Sequence, residues 1–311
     1  EMLRYVASKF FYMLVSLFIL ISATFFLMKA IPGDPFMGEK KPSPEILARL
    51  MEQYDLDKPL FQQYTKYLGN IVQGDFGLSM KKQGQSVTDI IVDTFGPSLR
   101  LGLIAIVVSV IVGVLLGMLA ALYHRKLIDN IAMIVSVLGI AVPSFVLASL
   151  LQYLLAEKAG IFNVMGFEGP LDYVLPVMAL SAQPIAFIAR LTRSSMLEVL
   201  HSDYIKTAKA KGLNWFAIMF RHVIRNGILP VVTYVGPMTA NIITGSVVIE
   251  QIFGIGGIGK QFVESITNRD YTVIMGITIF YGILLMLARF ITDIVYIFVD
   301  PRIKLTGGKE R

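Results

Sequence analysis

The alternation of apolar and polar positions divides the chain into six long apolar runs with polar connections between them. Phe10 to Met28 is free of charge and follows Arg4 and Lys9. It is longer than the apolar core of a secretory signal and no A-x-A pattern follows it, so it predicts an uncleaved first span. The next runs are Leu101–Tyr123, Ile131–Ala156, Tyr173–Ala189, Gly227–Ile249 and Tyr271–Val299. Most approach or exceed the roughly 20 residues a helix needs to cross about 30 Å of hydrocarbon. Gly102, Gly113, Gly117 and Ala120 give the second run small positions where another helix can come close. Gly139 and Pro143 predict a kink near the middle of the third.

Between the first two runs, Ile31–Pro97 is polar, with a short helix marked by Ile46, Leu47 and Leu50 and a tight turn at Gly74-Asp75-Phe76-Gly77. The D-F-G letters match the magnesium motif of kinases, but none of its companion elements is present. The longest polar interruption in the second half is Ser202–Pro230. There Tyr204, Ala208 and Gly212 recur every four residues, giving a short helix with one small uncharged face, while Lys206, Lys209 and Lys211 point elsewhere. Gly212 is placed to end that helix with positive φ. Asn214 can cap a second helix in which Trp215, Phe216, Met219, Phe220, Val223 and Ile224 share a face. Pattern alone leaves two readings open for this hairpin, a basic amphipathic element on a membrane surface or a dock for another protein.

The expected architecture is therefore an all-α integral membrane protein with six transmembrane helices and a small cap between the first two. Residues 1–30 form a terminus and first span, 31–97 the cap, 98–300 a five-helix core containing the loop 194–230, and 301–311 a tail. Basic residues in the short connections fall on one side, with Arg4 and Lys9, Arg125 and Lys126, Arg190 to Arg225 and the tail together. This places both termini and Ser202–Pro230 in the cytoplasm.

Composition strengthens this picture. Only 16% of the 311 residues are charged and 55% are hydrophobic, against about 25% charged in soluble domains. The formal charge of +6 follows from cytoplasmic Lys and Arg flanking spans, so nucleic acid is not an expected partner. The absence of cysteine excludes disulfides, thiol catalysis and thiolate-bound metal, and His124, His201 and His222 lack metal-ligand spacing. Gly254 to Gln261 fits G-x-G-x-x-G, and fits a P-loop lacking its final hydroxyl residue. Both need a preceding strand, whereas a span precedes this segment, so an external gate or turn is expected there. Arg289 and Asp293, one turn apart in the sixth run, are read as a structural ion pair. Glu250 stands at the outer end of the fifth run.

Tyr204, Thr207, Ala208, Ala210, Lys211 and Gly212 in D-Y-I-K-T-A-K-A-K-G-L, then Arg221-His222, Arg225-Asn226 and Leu229-Pro230, resemble the cytoplasmic "EAA" loop of binding-protein-dependent ABC import permeases. Pro32-Gly33-Asp34-Pro35, Tyr54 to Leu60, Gly74 to Gly77 with Ser79, Pro143-Ser144-Phe145 and Glu250-Gln251-Ile252-Phe253 extend the likeness over nearly the whole chain. The version is similar to the first of the two permease subunits of oligopeptide and dipeptide importers. Lys206 stands where the wider family has glutamate and the Leu-Pro falls later, both usual in the peptide subclass; Gly256-Gly257 replaces a frequent Pro-Gly.

The resemblance implies a type I importer permease fold in a bacterial cytoplasmic membrane, itself not an enzyme. It implies that the helix carrying Tyr204, Thr207, Ala208, Lys209, Ala210, Lys211 and Gly212 docks on a cytoplasmic ATPase. The implied partners are a second permease, two ABC ATPase subunits that hydrolyse ATP with magnesium, an external peptide-binding protein, a peptide substrate and the lipid bilayer. This chain itself is expected to bind no cofactor. Glu250, Gly256, Gly257 and Gly259 are expected at an outer gate or binding-protein contact, and Pro143, Ser144 and Asn241 along the pathway. Alternatives are a dipeptide or nickel importer in the same class and an ion-coupled transporter acting alone in another.

Overall fold

Helix after helix follows from the apolar runs, and the computed structural model describes residues 2–32, 35–36, 42–166 and 168–299. Gly33, Asp34, Lys40, Lys41 and the basic tail lie outside the described residues. Among the described residues there are thirteen α-helices and no β-strand. Four helices are long and apolar enough to span a membrane, or six spans if each of two bent helix pairs counts as one. Two compact units divide the chain, one of Glu1–Ser98 with Gly256–Phe290, the other of Leu99–Ile255 with the residues from Ile291 onward. The units thus cross the linear division expected from polarity, because α12 and most of α13 return to the chain's first third.

The first unit holds α1 (Met2–Ala30), α2 (Pro44–Gln53) and α3 (Leu60–Val72). It also holds the beginning of α4 (Val87–Leu122), α12 (Ile258–Asn268) and most of α13 (Tyr271–Val299). Its core joins Ile21, Phe76, Val87, Ile90, Ile91, Ile258, Val273, Ile277 and Ile279. Aromatic rings of Phe25, Phe26, Tyr64 and Tyr67 lay α3 against α1. The Gly74–Gly77 turn forms as expected, closed by the Asp75 carboxylate accepting from Gly77 N at 2.8 Å. Pro97 does not end the polar segment. It sits inside α4, so the last residues of the expected cap belong to a 36-residue helix. A proline removes one intrahelical bond, and the buried Ile90, Ile91 and Leu101 on either side hold the helix through it.

In the second unit α4 continues into α5 (Leu127–Ala141), α6 (Ser144–Leu151), α7 (Val174–Leu200), α8 (Asp203–Ala210), α9 (Trp215–Ile218), α10 (Ile224–Gly227) and α11 (Leu229–Phe253). α7 is the hub, with α5, α6, α10 and α11 packed on it. Its most apolar window is 56% buried, where the other three long helices reach 17–28%. Because lipid is as apolar as leucine, close packing rather than expulsion of water must hold such helices together. A Cβ at Gly117 would lie 2.6 Å from the Ala189 carbonyl oxygen, and one at Gly113 2.7 Å from Ile188. Those two positions do the work expected of them; Gly102 meets its neighbour only at 3.9 Å.

The kink expected in the third run is a full break. The pair Leu127–Ala141 and Ser144–Lys158 is bent by 103°, with Pro143 in the position capping α6. Proline offers no N–H to continue the helix, and the Gln183 side chain donates to the Ile140 carbonyl in the last turn of α5 at 3.2 Å. α7 also outruns the fourth run: the expected loop start at 194 lies within the helix, which ends at Leu200.

Candidate functional site

The Ser202 stretch folds as the pattern required and packs differently. α8 spans Asp203–Ala210, and Gly212 takes φ +77° just beyond it. Leu213 N donates to Ala208 O at 3.3 Å and Gly212 N to Lys209 O at 3.0 Å, the paired bonds of a Schellman end that favours glycine. Asn214 caps the next helix, its side-chain oxygen accepting from Ala217 N at 2.7 Å.

Two expectations about faces need correction. Ala208 is buried with Ile205 against Ala121 and Met196, so it seats α8 on its own unit. The outward face of α8 consists of Tyr204, Thr207, Lys209, Ala210, Lys211 and Gly212, all exposed. The six apolar residues after Asn214 do not share one face either. A π-helical turn at Met219–Val223 shifts the register, burying Ile218, Met219 and Val223 while Trp215, Phe216 and Phe220 remain 48–72% exposed. An i→i+5 turn rotates side chains away from the 3.6-residue repeat on which that expectation rested.

α7 leads into α8, and two turns before its end Arg193 forms a polar cluster that pattern reading missed. Its Nε and Nη2 reach the two carboxylate oxygens of Asp129 at 2.5 and 2.8 Å. Asp129, in the first turn of α5, is 2% exposed. The carboxylate also accepts from Arg125 N at 2.9 Å, and His124 Nδ1 stands 3.1 Å from both Asp129 Oδ2 and Arg193 Nη2. That nitrogen can donate to Asp129 or accept from Arg193, one per tautomer. Arg125 has φ +62°, a left-handed conformation unusual for a side chain of its size. The only hints in sequence were the charges themselves, counted as markers of topology.

Towards the end of α11 the helix runs through Glu250, which is fully buried. The helix stops at Gly254, φ +68°. Gly257 then caps α12, so half of the expected glycine-rich loop is helix. Gly256 is exposed, while Gly259 is buried within α12. A helix, not a strand, precedes the glycines, which removes the context a phosphate-binding loop requires. Pro143 is exposed at the break after α5, Ser144 half-buried, and Asn241 exposed on α11. Arg289 and Asp293 lie one turn apart on α13, exposed and half-buried.

In the first unit Asp270, before α13, is 3% exposed. It accepts from the Ser79 hydroxyl, from Met80 N at 3.0 Å and Lys81 N at 3.3 Å. Thr272 Oγ1 lies 3.1 Å from it and 2.7 Å from Leu78 O, and Tyr54 Oη donates to Ser79 O at 2.6 Å. The polar segment is thereby pinned at the turn 78–82 to the start of α13.

Spans gathered on a central helix, with a short helix seated on that helix's end, are the fold of type I ABC importer permeases. The same fold occurs in the solved methionine ABC transporter MetNI, inward facing, with a TM-score of 0.57 at 16% identity, covering 68% of this chain and 96% of that one. It occurs also in an amino acid ABC transporter solved with histidines, with a TM-score of 0.54 at 18% identity, covering 67% and 94%.

The chain belongs to the family of binding-protein-dependent transport system inner membrane components, whose model matches residues 113–305. The family's N-terminal model matches residues 2–102. Among its relatives are the Bacillus subtilis dipeptide transport system permease DppB, 47% identical over 98% of this chain and 99% of that one. The oligopeptide transport system permease OppB of Haemophilus influenzae is 44% identical over 97% and 100%. The OppB of Escherichia coli K12 is 42% identical over the same shares.

Proposed function

We propose that this chain is a permease subunit of an ATP-driven importer of oligopeptides in the cytoplasmic membrane, with both termini and α8 on the cytoplasmic side. Identity of 42–47% over nearly all of the chain to dipeptide and oligopeptide permeases carries this reading. The exposed face of α8, from Tyr204 to Gly212, is the contact for an ABC ATPase subunit, where ATP and magnesium are handled. The lysines on and beside that face can meet acidic groups on the partner. A second permease completes the pathway, a peptide-binding protein delivers substrate, and rocking of helix bundles opens each side in turn. Glu250 with Gly256, Gly257 and Gly259 belongs to the outer gate, and Pro143, Ser144 and Asn241 line the pathway.

The test is uptake of a labelled pentapeptide by proteoliposomes holding the assembled importer, with competition by unlabelled dipeptides. Uptake is expected to require ATP inside the cytoplasmic compartment and the binding protein outside. Peptide transport by this chain alone, persisting without ATP, would overturn the proposal in favour of an ion-coupled carrier.

A further inference from the structure

We propose that Asp129 and Arg193 form a strut through which movement of α8 reaches α5, making them positioning residues for transport; the proposal rests on reading α8 as the ATPase contact. Three observations join in it. Arg193 lies seven residues before the end of α7 at Leu200, about two helical turns, and only His201 and Ser202 separate that end from α8. Its guanidinium grips both oxygens of a carboxylate at the start of α5, a fork geometry that fixes orientation as well as distance. The same carboxylate holds Arg125 N, and with it the left-handed turn that joins α4 to α5.

α5 is an unbroken helix from Leu127 to Ala141, and it ends at the 103° break before Ser144. α5 and α7 also pack along their lengths and meet at the Gln183–Ile140 bond. The ion pair is the charged, two-pronged contact at the start of α5, so a displacement of α8 that pulls on α7 acts there in a fixed direction and α5 delivers it to the break. The apolar seat of α8 supplies a second contact with α4, through Ala121, but it can slide; van der Waals contacts have no preferred direction. A bidentate ion pair cannot slide without breaking. Salt-bridge networks between rigid helices are among the elements that carry coupling between sites.

The experiment uses the assembled importer in proteoliposomes and measures ATP hydrolysed per peptide imported. The double variant Asp129→Leu, Arg193→Met removes both charges, so neither is stranded, and buried pairs replaced this way often keep their fold. Expected is an assembled complex in which peptide-stimulated hydrolysis and uptake separate, the ratio rising about five-fold or more, the lower end of common coupling factors. Arg193→Lys, which keeps the charge and loses the fork, is expected to move the ratio in the same direction by less. A purely structural role would lower the amount of assembled complex and leave the ratio alone. A wild-type ratio in the double variant, or in Arg193→Lys if the double variant does not assemble, overturns the strut. Gly212→Leu, measured on assembled complex, serves as the control: a Cβ there meets no atom of this chain within 4 Å, while its φ of +77° strains the end of α8, so normal coupling there overturns the role of α8 and the strut with it. Uncoupling in Gly212→Leu beside a wild-type ratio in the strut variants overturns the strut alone.

Discussion

Asp129 and Asp270 are both buried, both stand at the start of a long helix, and both fasten a turn, yet they are satisfied by different chemistry. Asp129 meets a guanidinium, one backbone amide and an imidazole. Asp270 is held by hydroxyls and the amides of Met80 and Lys81. The first arrangement matches charge with charge and depends on one partner from another helix; the second spreads the charge over several neutral donors close to the turn it holds. Losing one partner therefore has unequal consequences, since a stranded buried charge is far more costly than a lost hydrogen bond.

The contrast is sharpest for Arg193→Met. It leaves Asp129 buried and uncompensated, with an expected destabilisation of about 3–5 kcal/mol, read as a lower melting temperature of the detergent-solubilised protein. Adding Asp129→Leu should recover most of that loss. Asp270→Ala comes next. It leaves the Met80 and Lys81 amides and the Ser79 hydroxyl to find other acceptors, at about 1–3 kcal/mol, and Asp270→Asn should lie well below it. If Asp270→Ala proved as damaging as Arg193→Met, the distinction between charge pairing and neutral caging would be lost.

Glu250→Gln adds a third buried acid to the series. Shape is kept, so stability should change by no more than about 1 kcal/mol while peptide uptake falls in the assembled importer. Unchanged uptake would remove Glu250 from the outer gate. The smallest effect belongs to Asp55, half-buried beside Lys58 and Lys66, whose ammonium groups hold its carboxyl below the ordinary value of 3.8. A lowered folded-state value contributes stability above pH 3.8 that disappears as pH falls through it. Asp55→Asn should thus differ from the parent in melting temperature at pH 6, slightly, and converge with it on acidification below pH 3.8.

Much of the molecule is legible in its sequence. The apolar helices, the Gly212 turn, the Asn214 cap, the Gly74–Gly77 turn and the close approach at Gly113 and Gly117 all arise from interactions within a few residues or from the size of one side chain. The π-turn at Met219–Val223, the helical character of Ile258–Asn268 and the depth of the break at Pro143 escaped, because each is chosen by packing against other helices. Asp129 and Arg193 are 64 positions apart and Ser79 and Asp270 191 apart; nothing in local pattern links residues so distant.

The sequence by itself therefore determined the class of molecule, the run of its helices and the local geometry of the α8 stretch, since backbone hydrogen bonding in a membrane must be satisfied within each span. Tertiary structure alone decided which side of α8 faces outward, that Glu250 is buried, and which acid each basic residue meets. Those outcomes depend on volume and charge brought together by folding, and a linear pattern records neither.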